Sequence, residues 1–178
     1  GEHLITFPLI KAFARKYPEL RVVHLDAHAD LRKDYYGEEL SHSTVMRKAA
    51  EILGPVRIYQ FGIRSGIKEE FEFARENTRM YPFEIFAPLK NVLEELKDYP
   101  IFVSLDIDVV DPAFAPGTGT QEPGGCTSQQ IIQVIGLLGQ LNVVGFDLVE
   151  LCPALDFSER TAILAAKLIR EAILAFLK

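Results

Sequence analysis

The sequence predicts an α/β protein, a three-layer α/β/α sandwich around a mainly parallel central sheet. Three observations predict it. Amphipathic stretches alternate with nearly continuous apolar runs, the pattern of strands covered on both faces by crossover helices. No internal repeat or low-complexity linker breaks the alternation, so residues 1–178 are expected to form one domain. Acidic residues gather where apolar runs end, and open parallel sheets place ligands outside the carboxyl ends of their strands.

Residues 4–17 carry apolar side chains at helical spacing, and Pro18 closes that helix. The β-branched run 21–25 is a strand leading into Asp26-Ala27-His28-Ala29-Asp30. Residues 44–53 read as a helix ended by Gly54-Pro55, and 56–63 as a strand. A charged helix over 68–77 precedes a short strand expected at 84–86 and a helix at 88–98. The apolar strand 100–106 runs into a Pro- and Gly-rich loop, 109–125. Thr127 is placed to cap a helix reaching about Gly139, followed by a strand over 142–150. Ser158 is expected to cap the last helix, which is drawn to residue 178.

Composition excludes several classes. A net charge of −6 argues against a nucleic-acid partner. No apolar stretch is long enough to span a bilayer, so no membrane association is expected. Hydrophobic residues make up 48% and charged residues 25%, a composition typical of soluble globular domains. Cys126 and Cys152 lie outside any CxxC spacing and read as reduced, buried thiols of a cytoplasmic protein. The chain opens at Gly1 without Met, and it is expected to be part of something longer.

The chemistry sits in two segments. In an extended chain, residues i, i+2 and i+4 point the same way, so Asp26, His28 and Asp30 converge, as do Asp106 and Asp108. Carboxylates packed this densely repel unless a cation lies among them. Asp26, Asp30, Asp106 and Asp108 balance two divalent ions better than one, which predicts a two-metal centre with bridging carboxylates. Oxygen-rich ligation suits Mn²⁺ or a similarly hard ion, with His28 as a nitrogen ligand. His3, otherwise an ordinary helix-start residue, is the candidate for a second imidazole. His24 shares the parity of Asp26 but lies deeper in the apolar run, and reads as a hydrogen-bonded core histidine. Asp34, Asp98 and Asp111 read as turn or cap formers. Glu150, at another strand end, suits a cationic substrate group.

These residues, with Gly1-Glu2-His3, Ser104-Leu105-Asp106-Ile107-Asp108, Asp111-Pro112, Pro116-Gly117-Thr118-Gly119-Thr120, Glu150-Leu151-Cys152-Pro153 and Asp156, resemble the arginase/agmatinase (ureohydrolase) family over nearly the whole chain. The resemblance implies an arginase-like α/β/α sandwich with two Mn²⁺ per subunit, hydrolysing guanidino compounds to an amine and urea. Position by position, it assigns His3, Asp26, Asp30 and Asp106 to one ion and His28, Asp26, Asp106 and Asp108 to the other. It assigns Glu150 to the substrate guanidinium, against the alternative of a salt bridge to Arg160. It assigns His42 to proton shuttling, against the alternative of a surface-loop histidine. Asp30 would hydrogen-bond the attacking water. Relatives carry a strand, helices and pocket loops upstream of Gly1, so the N-terminal part of the family domain is expected to be missing. They also form trimers or hexamers, which implies a homo-oligomer.

The loop 31–42 has no Asn, and Ser41 is its only Ser, which resembles the agmatinase branch of the family. Thr44-Val45-Met46-Arg47 and Glu122-Pro123-Gly124-Gly125 resemble it too, while Gln121 departs from the Pro common there. The expected reaction is hydrolysis of agmatine to putrescine and urea, a step of polyamine biosynthesis. A guanidinobutyrase, arginase or formiminoglutamase stays open, with Arg32 or Lys33 holding a substrate carboxylate. So does a truncated, non-catalytic metal-binding fragment. A one-metal deacetylase of the same architecture is disfavoured by His3 and by the second carboxylate of the Asp106/Asp108 pair.

Overall fold

The computed structural model describes residues 1–177. Its strands are β1 (Arg21–Leu25), β2 (Ile58–Ile63), β3 (Arg79–Pro82), β4 (Pro100–Asp106) and β5 (Asn142–Val149). They pair in the order β3-β2-β1-β4-β5, and every pairing is parallel. The helices are α1 (Thr6–Lys16), α2 (Val45–Leu53), α3 (Lys68–Asn77), α4 (Phe86–Leu96), α5 (Ser128–Leu138) and α6 (Arg160–Phe176).

Strand alternation sorts the core into two halves. Val23, Leu25, Phe61, Val103 and Leu105 pack with Leu89 of α4, Ile131 and Ile135 of α5, and Leu168 of α6. Val22, Ile58 and Phe102 pack on the other face with Ile10 of α1, Val45, Met46 and Ala49 of α2, and Ala74 of α3. Each fully buried side chain of this size contributes about 1.5–3 kcal/mol. Gly145 has no side chain because a Cβ there would stand 2.5 Å from the ring of Phe102.

One row of the second face is polar. Gln60, His24, Ser104 and Asp147 are register partners across β2, β1, β4 and β5. All four are buried, and the row lies two residues before Asp26 and Asp106.

Several boundaries differ from expectation. The short strand lies at Arg79–Pro82, before the expected 84–86, because Phe83 turns the chain at φ 63. The helix expected at 88–98 runs over Phe86–Leu96, with Pro88 inside its first turn, where a missing N–H costs nothing. β2 starts at Ile58, since Pro55–Arg57 form a 3₁₀ turn. β5 stops at Val149, since Glu150 has φ 60. Thr127 caps α5 as expected, accepting from Gln130 N–H. Asp156, and not Ser158, serves α6: its carboxylate accepts from Thr161 N–H at 2.9 Å and from the Thr161 hydroxyl at 2.7 Å. α6 ends at Phe176, short of the expected reach, because Leu177 is already extended; residue 178 lies outside the described residues. Among the described residues, no helix is long and apolar enough to cross a membrane.

Candidate metal centre

β1 and β4 are neighbours, so the segments that follow them meet at one sheet edge. Both segments curl in the same way. Asp26 Oδ1 accepts from His28 N–H, and Asp106 Oδ1 accepts from Asp108 N–H at 2.9 Å. Convergence therefore comes from these turns, and not from the extended alternation expected as far as Asp30, which has φ 53. Ala27 N–H donates to Asp108 Oδ1 at 3.0 Å and joins the two turns.

The cluster has two lobes. In one, His3 Nδ1 stands 3.0 Å from Asp30 Oδ2 and 3.3 Å from both Asp26 Oδ2 and Asp106 Oδ2. In the other, His28 Nδ1 stands 2.9 Å from Asp108 Oδ2 and 3.6 Å from Asp26 Oδ1. Asp26 thus turns one oxygen to each lobe. Asp106 shows one oxygen to the His3 lobe, while its other oxygen accepts from Asp108 N–H.

The charges are unbalanced without a cation. Burial pushes the Asp106 carboxyl well up, reinforced by the charges of Asp108 and Asp26. Burial and Asp26 push Asp108 up to about 6. Burial opposes the charge of Asp26 too, but His24, His28 and His3 outweigh it and hold that carboxyl well below the usual range. Burial also opposes the charge of both ring ligands. The surrounding carboxylates overcome it, raising His3 strongly and His28 to about 11.

His3 Nδ1 and Asp108 Oδ2 are buried without a hydrogen-bond partner among the described residues. His3 Nδ1 is close to three oxygens yet aligned for a hydrogen bond with none. One such atom lies in each lobe, and unpaired buried polar atoms are costly. Candidate ligand atoms form two groups that share Asp26, one of His3, His24, Asp26 and Asp30 and one of Asp26, His28 and Asp108, the atoms of each within 4.8 Å of one another, and His24 already faces Asp26 through Nε2. The donor set, carboxylates with one imidazole per lobe, fits two divalent cations.

The other expected residues stand around this cluster. Glu150 is half-buried, its carboxylate accepts from His3 N–H, and burial raises its pKa. Among the described residues no ion pair joins it to Arg160. His42 is exposed in a 3₁₀ turn before α2, its ring edge-on to Tyr35 at 5.2 Å. Both residues line a cavity of about 490 Å³ that opens over the cluster. His24 is fully buried, bonded through Nε2 to Asp26 Oδ2 at 2.7 Å. Cys126 is a buried free thiol whose pKa burial pushes up to about 12, whereas Cys152, also free, is only half-buried.

Three neighbours were not foreseen. Glu70 is a buried carboxylate that accepts from Leu31 N–H and Ile67 N–H at 2.8 Å each, and it stands 3.6 Å from Arg32 Nε. Its place three residues past Ile67, at the start of α3, was the available signal. Glu122 accepts from the Ser65 hydroxyl at 2.8 Å and lies 3.9 Å from His28 Nε2. Gln60 supports His24 from β2, and nothing local in the sequence marks it.

A parallel α/β sandwich with an acidic, imidazole-bearing cluster at its strand ends defines the class of a metal-centre protein. The arginase family model matches residues 1–175, and the chain belongs to the arginase family. It is 54% identical over 181 residues to an agmatinase of Bacillus subtilis, covering 100% of this chain and 62% of that protein. It is 37% identical to a guanidinobutyrase of Pseudomonas aeruginosa, covering 96% of this chain and 57% of that protein. The structure of proclavaminate amidino hydrolase from Streptomyces clavuligerus superposes with a TM-score of 0.88 at 34% identity, over 99% of this chain and 62% of that one. The chain thus spans about three-fifths of the length of these relatives.

Proposed function

We propose that this chain carries the catalytic centre of an amidinohydrolase that cleaves agmatine to putrescine and urea at a pair of divalent ions, Mn²⁺ by ligand hardness. The observation that carries the reading is the two-lobed cluster, with Asp26 facing both lobes and one orphaned buried atom in each. His3, Asp26, Asp30 and Asp106 would hold one ion, and His28, Asp26, Asp106 and Asp108 the other. When bound, such ions act as Lewis acids that let water serve as a nucleophile near neutral pH.

The chain's own residues supply the rest. Asp30 accepts a hydrogen bond from the attacking water and so orients it. Glu150 pairs with the guanidinium and turns its carbon toward the cluster. His42, at the cavity mouth, hands a proton to the departing amine, a task suited to an imidazole.

The substrate assignment rests on the far side of the cavity. Arg32 is the one Lys or Arg that lines it among the described residues, and Glu70 already pairs with it. Among the described residues, a substrate ending in a carboxylate would find no unpaired Lys or Arg there, whereas agmatine ends in an ammonium. The higher identity to an agmatinase than to a guanidinobutyrase supports the same choice. A cytoplasmic homotrimer or hexamer belongs to the same reading, and the apolar side chains that α6 leaves exposed, Ile169 and Ile173 among them, support self-association.

Urea release by the intact, Mn²⁺-loaded protein tests this with agmatine, arginine and 4-guanidinobutyrate side by side. Agmatine is expected to give the highest kcat/KM, and Glu150→Gln to lower it about 100-fold, the worth of one charge-assisted bond. No urea from agmatine, or full activity under complete chelation, would sink the reading.

A further inference from the structure

The proposed reaction uses none of the four side chains in the buried polar row beneath the cluster, and two of them, His24 and Gln60, are bonded to each other. Both are fully buried in the middle of the sheet. A polar pair in such a place needs every bond it can make.

The hydrogen bonds of Gln60 fix its orientation. Its Nε2 donates to the carbonyl of Ala29 at 2.7 Å, a group that can only accept, and its Oε1 accepts from the Thr78 hydroxyl at 3.2 Å. A flipped amide would set two carbonyl oxygens against each other. The same Nε2 lies 3.1 Å from His24 Nδ1, so that ring nitrogen is an acceptor. The ring proton of His24 therefore sits on Nε2, 2.7 Å from Asp26 Oδ2. His24 presents no lone pair to an ion in the neighbouring lobe. It presents a donor to the carboxylate that faces both lobes. Asp26 Oδ1 is held separately by His28 N–H, so both oxygens of Asp26 are tied. Gln60 also reaches the site a second way, through the Ala29 carbonyl that directly precedes Asp30.

We propose that His24 and Gln60 are positioning residues for Asp26, fixing the tautomer and donor that aim its carboxylate between the two lobes. This rests on the metal-centre reading above. Outer partners of this kind orient ligands and tune their affinity for metal.

The test is Mn²⁺ binding to the intact protein, measured by calorimetry and by the EPR spectrum of the bound pair. The variants are His24→Phe, His24→Gln and Gln60→Met. Phe keeps the ring volume and removes the donor, whereas Gln places an amide N–H near the position of Nε2. His24→Phe and Gln60→Met are expected to weaken Mn²⁺ binding about 10- to 100-fold and to change the coupled Mn²⁺ spectrum at saturation. His24→Gln is expected to recover most of both. Melting temperatures of the metal-free forms separate positioning from folding: His24→Phe should lose more of the Mn²⁺-induced rise than of the metal-free value.

Wild-type affinity and spectrum in His24→Phe overturn the proposal, as does a His24→Gln no better than His24→Phe. If His24→Phe does not fold, Gln60→Met decides, and an unchanged affinity there overturns it. A wild-type protein that binds no Mn²⁺ overturns the metal-centre reading itself, which is a different result.

Discussion

Asp30 and Glu150 both stand on left-handed backbone, at φ 53 and φ 60. Such a conformation costs an L-residue about 1–2 kcal/mol, and Asp or Asn bears it best. What it gains is direction. At each position the chain reverses within one residue, and the carboxylate turns toward the cavity over the cluster. Asp30→Asn is therefore expected to keep about 1 kcal/mol more of the metal-free stability than Asp30→Ala, both having lost the charge that faces His3. Urea denaturation of the metal-free proteins checks this. Five of the six proposed ligands stand out in the sequence because their residue types and spacing are unusual, whereas His3 is singled out by the need for a second imidazole and by the family resemblance. The left-handed turns do not stand out, because glycine normally marks them and neither position is glycine. The sequence placed His24 correctly in the core, but its partner Gln60 is 36 residues away on another strand, beyond any local pattern.

At the scale of elements, Arg64 ties three of them together. Its guanidinium donates to the carbonyls of Gly62 at the end of β2, Asp108 after β4, and Glu122 in the Pro- and Gly-rich loop. The floor of the His28 lobe and the loop that carries Glu122 are thereby fixed to each other. Lysine has the charge but gathers its donors at one point and cannot span these carbonyls. Arg64→Lys is expected to cost about 2–3 kcal/mol, from bonds lost and carbonyls left unpaired, measured as a shift of the denaturation midpoint at constant slope. Periodicity located the helices and most strands. It failed around residues 79–88, where a short, half-exposed edge strand carries little apolar signal and Pro88 was read as a boundary although it sits within the first turn of α4.

Across the whole molecule, the cluster links stability to pH and to metal in opposite senses. Without metal, His28 titrates near 11 between Asp108 and Asp26, above its unfolded value of about 6.5. Its contribution is full below pH 6.5 and is lost as the pH rises through 11. Asp108, raised to about 6, also binds its proton more tightly when folded, so stability falls further as the pH climbs from about 4 to 6. Metal binding runs the other way, because it needs these ligands deprotonated. The rise in Tm on adding Mn²⁺ is therefore expected to grow from pH 5 to pH 8 while the metal-free Tm declines. Paired melts in EDTA and in Mn²⁺ check it, and an increment that shrinks with pH contradicts it. The layered parallel architecture was legible at this scale. The strand order was not, because alternation shows which residues are buried but not which strand lies beside which.

The buried row of Gln60, His24, Ser104 and Asp147 has one more consequence, for how the strands find their alignment. Sliding one parallel strand by a single residue turns its apolar side chains to the wrong face, so odd slips are excluded by the apolar pattern alone. A slip of two keeps the faces, and strands of continuous apolar residues offer little to oppose it. Here it would set His24 beside Ile58 or Gly62 in place of Gln60. His24 would keep its bond to Asp26, but its Nδ1 and the amide of Gln60 would lose each other in an apolar interior, at about 1–3 kcal/mol apiece. The side chains that lie under the proposed site therefore also act as an alignment mark, and a sheet assembled two residues out of step would be both less stable and without its centre.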